Sequence, residues 1–282
     1  MPITPQELIA NLGDLPPLPQ VAAQVLRIAA DPDASTDELQ KVIGTDQALT
    51  AQILKIANSA MFGMMREVTT LTQAIMTLGF STIKSVVIAS SAKNLYSGGT
   101  TGLQERLMWE HALVSALAGR AYGRALRFAR TEEVFLAGLM HDIGKSVLAL
   151  KFPDRYGALI RSVYNEQIDG LSMELDTFGF DHAMVGEALL HSWNIASGIE
   201  QAARWHHDPM QASPEQRKLV ALVALGNQMA LCQKIGLGRP ESLAPATAEA
   251  LEILEIDDAI LESHRDTVLE ALDRDKSLIA DF

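Results

Sequence analysis

The chain has 282 residues, 48% hydrophobic and 21% charged, so it can bury a sizeable core and is too apolar to be a disordered chain. Its 23 basic and 35 acidic side chains give a formal charge of −12, and 12 acids against 3 bases fall between Glu241 and Phe282. That acidic end repels a phosphate backbone and no Lys/Arg cluster elsewhere offsets it, which disfavours direct nucleic-acid binding.

The single cysteine, Cys232, excludes an intramolecular disulfide and suits a reducing compartment. The first 13 residues carry no Lys or Arg and no long apolar run, unlike a signal peptide. The longest apolar stretch, Leu219 to Cys232, is too short to span a bilayer, so no membrane association is expected and the cytoplasm is the expected location.

In chain order, nearly every segment reads as helix. Leu15-Pro16-Pro17-Leu18-Pro19 leads into a helix with Val21, Val25, Leu26 and Ile28 on its apolar stripe, broken by Asp31-Pro32-Asp33. Ser35-Thr36-Asp37-Glu38 is a capping box for the next helix, ended by Gly44. Asp46 caps a helix carrying Leu49, Ile53, Leu54 and Ala57. Leu71, Ile75 and Leu78 then repeat at helical spacing up to Gly79, after which Ser81 caps the run Ile83–Ala89.

The Gly- and Thr-rich stretch from Tyr96 to Gly102 is the clearest break. Helices follow over Arg106–Arg127, Thr131–Leu150, Arg155–Asn165, Leu171–Phe178, Asp181–Trp193, Ser197–Trp205 and Pro214–Ile235. Two amphipathic helices end the chain, with Leu251, Leu254 and Leu261 and then Val268, Leu269 and Leu272 as their apolar residues, and are expected to pack on the body with their acidic faces in water. The expected fold is all-α: an N-terminal helical layer over residues 1–96, a helical bundle over 103–235, and acidic C-terminal helices over 236–282. The groove between layer and bundle is the expected partner surface, with Asp46, Asn58 and Ser59 as its polar residues. Against that stands the plainer reading that Asp46 only caps a helix and Asn58-Ser59 only ends one.

Six of the seven histidines fall between residues 111 and 207: His111, His141 beside Asp142, His182, His191 and the pair His206-His207. Taken singly, each reads as a satisfied core or surface histidine. Taken together, on separate helices and with an aspartate, they point to a transition-metal site, because neutral imidazole suits iron, nickel or zinc better than magnesium. His141-Asp142 follows an apolar run that would bury it, and buried polar groups need partners that an ion can supply. His182 precedes Gly186 by one turn, which allows a close neighbour. His191 and His264 read as ordinary residues.

The series His111 … His141-Asp142-Ile143-Gly144-Lys145 … His182 … His206-His207 resembles the HD superfamily of metal-dependent phosphohydrolases. Leu15–Pro19, Thr45–Thr50, Leu54–Ala60 and Ala74–Gly79 together look like the HDOD domain, the HD-related output domain of bacterial signalling proteins. The resemblance implies an all-α HD-like bundle and a bacterial signal-transduction module acting through an unidentified signalling protein. Most such domains are thought to have lost the HD ligands, whereas this chain keeps many of them.

By similarity to the HD-GYP phosphodiesterases, His111, His141 and Asp142 would hold one ion. His182, His206 and His207 would hold a second, with Asp142 bridging. The last aspartate of the HD pattern aligns with Asn227, whose amide carries no charge, so the first site is expected to be the weaker. Asp208-Pro209-Met210 stands where a Gly-Tyr-Pro segment would, so no cyclic di-GMP pocket carries over. The alternative function is a metal-dependent phosphohydrolase taking a small phosphorylated ligand, with catalytic roles for Asp142 and for Lys145, which would steady phosphate oxygens. A solvated lysine, or one at a helix C-terminus, is the plainer reading of Lys145.

Overall fold

The computed structural model describes residues 4–10, 20–29, 34–58, 68–96, 103–166, 169–236 and 244–274. Among them are 15 α-helices and no strand. The proline-rich motif at Leu15–Pro19, the break at Asp31–Asp33, Ser59 and Ala60, and residues 97–102 of the Gly/Thr-rich stretch lie outside the described residues.

The chain divides into two compact units. The smaller contains α2 (Gln20–Ala29), α3 (Thr36–Ile43), α4 (Gln47–Ala57) and α5 (Leu71–Tyr96). Its caps match the sequence. Ser35 and Glu38 exchange both bonds of the capping box. Asp46 accepts from the Leu49 amide at 3.0 Å, so its place in the fold is that of an N-cap. Asn58 does more than end α4. Its amide nitrogen donates to the Leu54 and Val68 carbonyls at 2.9 and 2.8 Å, and its oxygen accepts from the Val68 amide at 2.7 Å. Gly79 has φ 76° and ψ 165°, and the two arms of α5, Leu71–Phe80 and Thr82–Ile88, meet at 107°. Leu39, Ile43, Ile53, Ile75 and Ile83 are among its fully buried side chains.

The larger unit contains α1 (Pro5–Ala10), α6 (Leu103–Ala125), α7 (Thr131–Met140), α8 (Ile143–Lys151), α9 (Pro153–Glu166), α10 (Gly170–Phe178), α11 (His182–Ser192), α12 (Ser197–Trp205), α13 (Arg217–Cys232), α14 (Ala244–Leu254) and most of α15 (Asp258–Arg274). Here α6 and α13 run against each other and against α7. Buried runs at Ala112–Leu117 and Leu219–Leu225 make α6 and α13 apolar nearly all round, as central helices must be.

Three expectations are corrected. First, α1 does not belong with the helices that follow it; it packs on α11 in the larger unit. Second, the acidic end packs on the body as expected, but in α14 not by its leucines. Helix α14 lies on α13 and buries Ala246 and Ala250 rather than Leu251 and Leu254, because only small side chains allow that approach. Third, no single helix runs from Thr131 to Leu150. It breaks at His141-Asp142, with α7 ending at Met140 and α8 starting at Ile143. At that break two adjacent polar side chains turn to one side.

Among the described residues no single helix is long and apolar enough to cross a membrane.

Candidate metal centre

Seven helices bring the site together. His111 comes from the middle of α6 and Asn227 from the middle of α13; His141 and Asp142 form the α7–α8 junction. His182 opens α11, which Asp181 caps by accepting from the Met184 amide at 2.7 Å. His206 caps the end of α12 and His207 follows it. Glu174, on α10, completes the set. Helices α8 and α11 approach so closely that a Cβ on Gly144 would lie 1.9 Å from the His182 carbonyl oxygen and 2.7 Å from the Gly186 nitrogen. Only glycine at 144 lets Asp142 and His182 meet.

Asp142 sits at the centre. Its Oδ2 stands 3.5 Å from His111 Nε2 and 3.4 Å from His141 Nε2. Its Oδ1 stands 3.2 Å from His182 Nε2 and 3.6 Å from His206 Nε2. His182 Nε2 also lies 3.4 Å from His206 Nε2 and 3.2 Å from His207 Nε2. The donors fall into two groups, His111–His141–Asp142 and His182–His206–His207, each with ligand atoms within 4.8 Å of one another. Two donors about 2.1 Å from a shared ion stand about 3.0–3.4 Å apart, so this spacing suits one.

The outer ring nitrogens fix which atoms face inward. The Nδ1 atoms of His111, His141 and His206 meet the carbonyls of Ile235 at 2.9 Å, Gly138 at 2.6 Å and Ala203 at 2.9 Å. The Nδ1 of His182 meets Glu174 Oε2 at 2.6 Å, and the His182 amide donates to the same oxygen at 2.7 Å. A carbonyl or carboxylate can only accept, so each Nδ1 carries a proton, and the Nε2 of each imidazole turns a lone pair inward once that ring is neutral. Tyr156 donates to the other Glu174 oxygen at 3.1 Å.

Burial pulls the His141 imidazole down to about 4 and holds those of His206 and His207 well below the usual range, so all three are neutral. His111 is lowered for the same reason. Burial alone would lower His182 and raise Asp142. The Glu174 carboxylate instead lifts His182 to about 9, and the surrounding His141, Lys145 and His182 keep Asp142 well below the usual carboxylate range. His141 Nε2 and Asp142 Oδ1 are buried and find no hydrogen-bond partner among the described residues. Inward-facing lone pairs around an ionised carboxylate, with two donor atoms unsatisfied, fit a divalent cation.

The structure brings together His111, His141, Asp142, His182, His206 and His207, all named from the sequence. Asn227 is buried within hydrogen-bonding reach of the His111 ring. Lys145 is not at a helix C-terminus, and its side chain is 27% exposed. It lies in the first turn of α8 with Nζ 2.6 Å from Asp142 Oδ2. His191 is 82% exposed in its side chain and takes no part. Glu174 was missed, because an acid eight residues before a histidine has no spacing signature. A cavity opens over the site, walled by Leu159, Ile160 and Val163 and bordered by Lys145, Tyr156 and Asn227.

Comparison with known proteins places this geometry. The family model of the HDOD domain matches residues 15–209. The fold is shared with an HDOD domain protein of unknown function from Geobacter sulfurreducens, at TM-score 0.78 and 23% identity, covering 98% of this chain and 94% of that one. A protein from Marinobacter aquaeolei, described provisionally as a signal transduction protein, gives TM-score 0.73 and 22% identity over 95% of this chain and 59% of its own. A protein from Shewanella amazonensis, described provisionally as a phosphohydrolase, gives 0.73 and 24% over 96% and 97%. The chain spans 42% of the length of a curated relative from Treponema pallidum, with 24% identity over 218 residues. The match over residues 15–209, most of the chain, shows that it belongs to the HDOD family.

Proposed function

We propose that this chain is a bacterial signal-transduction output module that keeps a metal centre and acts through a protein partner. The observation that carries the metal is the convergence of four outward-anchored imidazoles on Asp142, with His141 Nε2 and Asp142 Oδ1 left unsatisfied. Imidazole-rich donors favour iron, nickel or zinc over magnesium or calcium. Family membership supports the signalling role.

A second reading, a metal-dependent phosphohydrolase, is favoured by the cavity that opens over the cluster. When bound, a divalent ion there supplies Lewis-acid chemistry toward a phosphoryl group. The chain itself holds His182 in one tautomer through Glu174, and its apolar wall keeps water from one side.

Elemental analysis of protein purified without added metal tests the first reading. Iron, nickel or zinc bound to the wild type and lost in His206→Ala supports it; a metal-free protein that takes up no added ion overturns it. A screen of phosphomonoesters and cyclic dinucleotides on the loaded protein separates the readings. Turnover abolished by His206→Ala establishes the hydrolase, and no turnover leaves the module.

A further inference from the structure

The two halves of the cluster differ in charge. Lys145 Nζ is bound at 2.6 Å to Asp142 Oδ2, the oxygen that faces His111 and His141. Oδ1 faces His182 Nε2 at 3.2 Å and His206 Nε2 at 3.6 Å. One carboxylate therefore presents to the first half an oxygen paired with a lysine, and to the second an oxygen faced by imidazoles that can give up their protons to an ion.

The surroundings widen the difference. Glu174 stands behind His182, so the second half gains a negative charge through that imidazole. Among the described residues, the Nδ1 atoms of His111 and His141 meet the uncharged carbonyls of Ile235 and Gly138, and beside His111 stands the uncharged amide of Asn227. Asp169, the other acid bordering the cavity, is engaged by the Ser172 amide at 2.9 Å and hydroxyl at 2.7 Å. Among the described residues lining the cavity, Lys145 is the one lysine or arginine.

Formal charge then decides how much metal the site accepts. With every imidazole neutral, as a metal ligand must be, Asp142, Glu174 and Lys145 together carry a single negative charge. One divalent ion reverses it to a single positive charge. A second would leave three positive charges within a few ångströms in a buried pocket, where like charges repel far more strongly than in water.

We infer that the centre takes one divalent ion, in the half formed by His182, His206, His207 and Asp142, and that Lys145 serves as the built-in cation of the His111–His141 half. This rests on the metal reading above and fixes its count. Lys145 and Asn227 act together: one supplies positive charge where a second ion would add its own, and the other withholds the negative charge that would balance it.

Titration of the metal-free chain with cobalt(II), followed by its ligand-field absorption and by elemental analysis after gel filtration, tests the count. The wild type should saturate at one ion per chain. Lys145→Gln should gain a second, weaker ion. Lys145→Gln combined with Asn227→Asp should bind two, the second on the order of 10-fold tighter than in the single variant. Two ions in the wild type, or one in a folded double variant, would overturn the inference while leaving the metal centre standing. No bound cobalt in the wild type would overturn both. Melting curves of the metal-free variants establish that they fold, and the wild-type count decides the matter even if the double variant does not.

Discussion

Glu174 decides which nitrogen of His182 faces the cluster, because its carboxylate can only accept the Nδ1 proton. Replacing it with Gln keeps the shape and removes the charge. Metal affinity of Glu174→Gln, measured by chelator competition, should fall about 10–100-fold, the usual effect of losing such a partner. Unchanged affinity would mean that Glu174 only fills space. Charge at these residues also sets a pH dependence in the metal-free protein. His182 is raised to about 9, so its stabilising contribution is full below its ordinary value of 6.5 and is lost as pH rises through about 9. His141, pulled to about 4 by burial, works the other way: stability is lost as pH falls from 6.5 toward 4. The melting temperature under chelator should therefore decline on both sides of neutrality. The alkaline decline should shrink in Glu174→Gln; a decline of equal size there would assign it to another group. At this scale the sequence was informative about ligands, since histidines and an aspartate are conspicuous. It was silent on Glu174 and on what Lys145 touches, which depend on contacts between helices far apart in the chain.

At the scale of elements, the α8–α11 contact positions the ligands. Gly144→Ala would place a methyl group 1.9 Å from the His182 carbonyl oxygen, and backbone cannot yield as a flexible side chain does. The variant should lose about 1–3 kcal/mol or more in urea unfolding and lose bound metal with it. Gly157→Ala, in α9, is the control: its nearest neighbour would be the Arg161 guanidinium at 3.5 Å, and it should be neutral or more stable by up to about 1 kcal/mol. Equal effects would remove the argument from close approach. In the smaller unit, Asn58→Ala would leave both backbone groups of Val68 without that partner. It should cost about 1–3 kcal/mol, and a change under about 0.5 kcal/mol in the urea midpoint analysis would contradict the clamp. Capping box, Asp46 cap and the bend at Gly79 were all legible, because local chemistry fixes them. The break at His141-Asp142 was not: the apolar run on both sides continues the helical pattern, and only packing of α8 against α11 explains why the chain turns there.

For the molecule as a whole, the family was legible in the sequence and the architecture in outline, while the grouping of elements was not. Helix α1 joins α11, and α14 joins α13, through contacts that no local pattern announces. The acidic end is thereby tied to the neighbourhood of the histidine cluster, since Glu249 of α14 accepts from the Met210 amide at 2.9 Å, three residues after His207. The most direct test of the account is anomalous diffraction at the absorption edge of the metal found in the purified protein. The account predicts one strong peak, enclosed by His182, His206, His207 and Asp142. A peak at another place in the chain, or none in crystals of protein shown to carry metal, would contradict it.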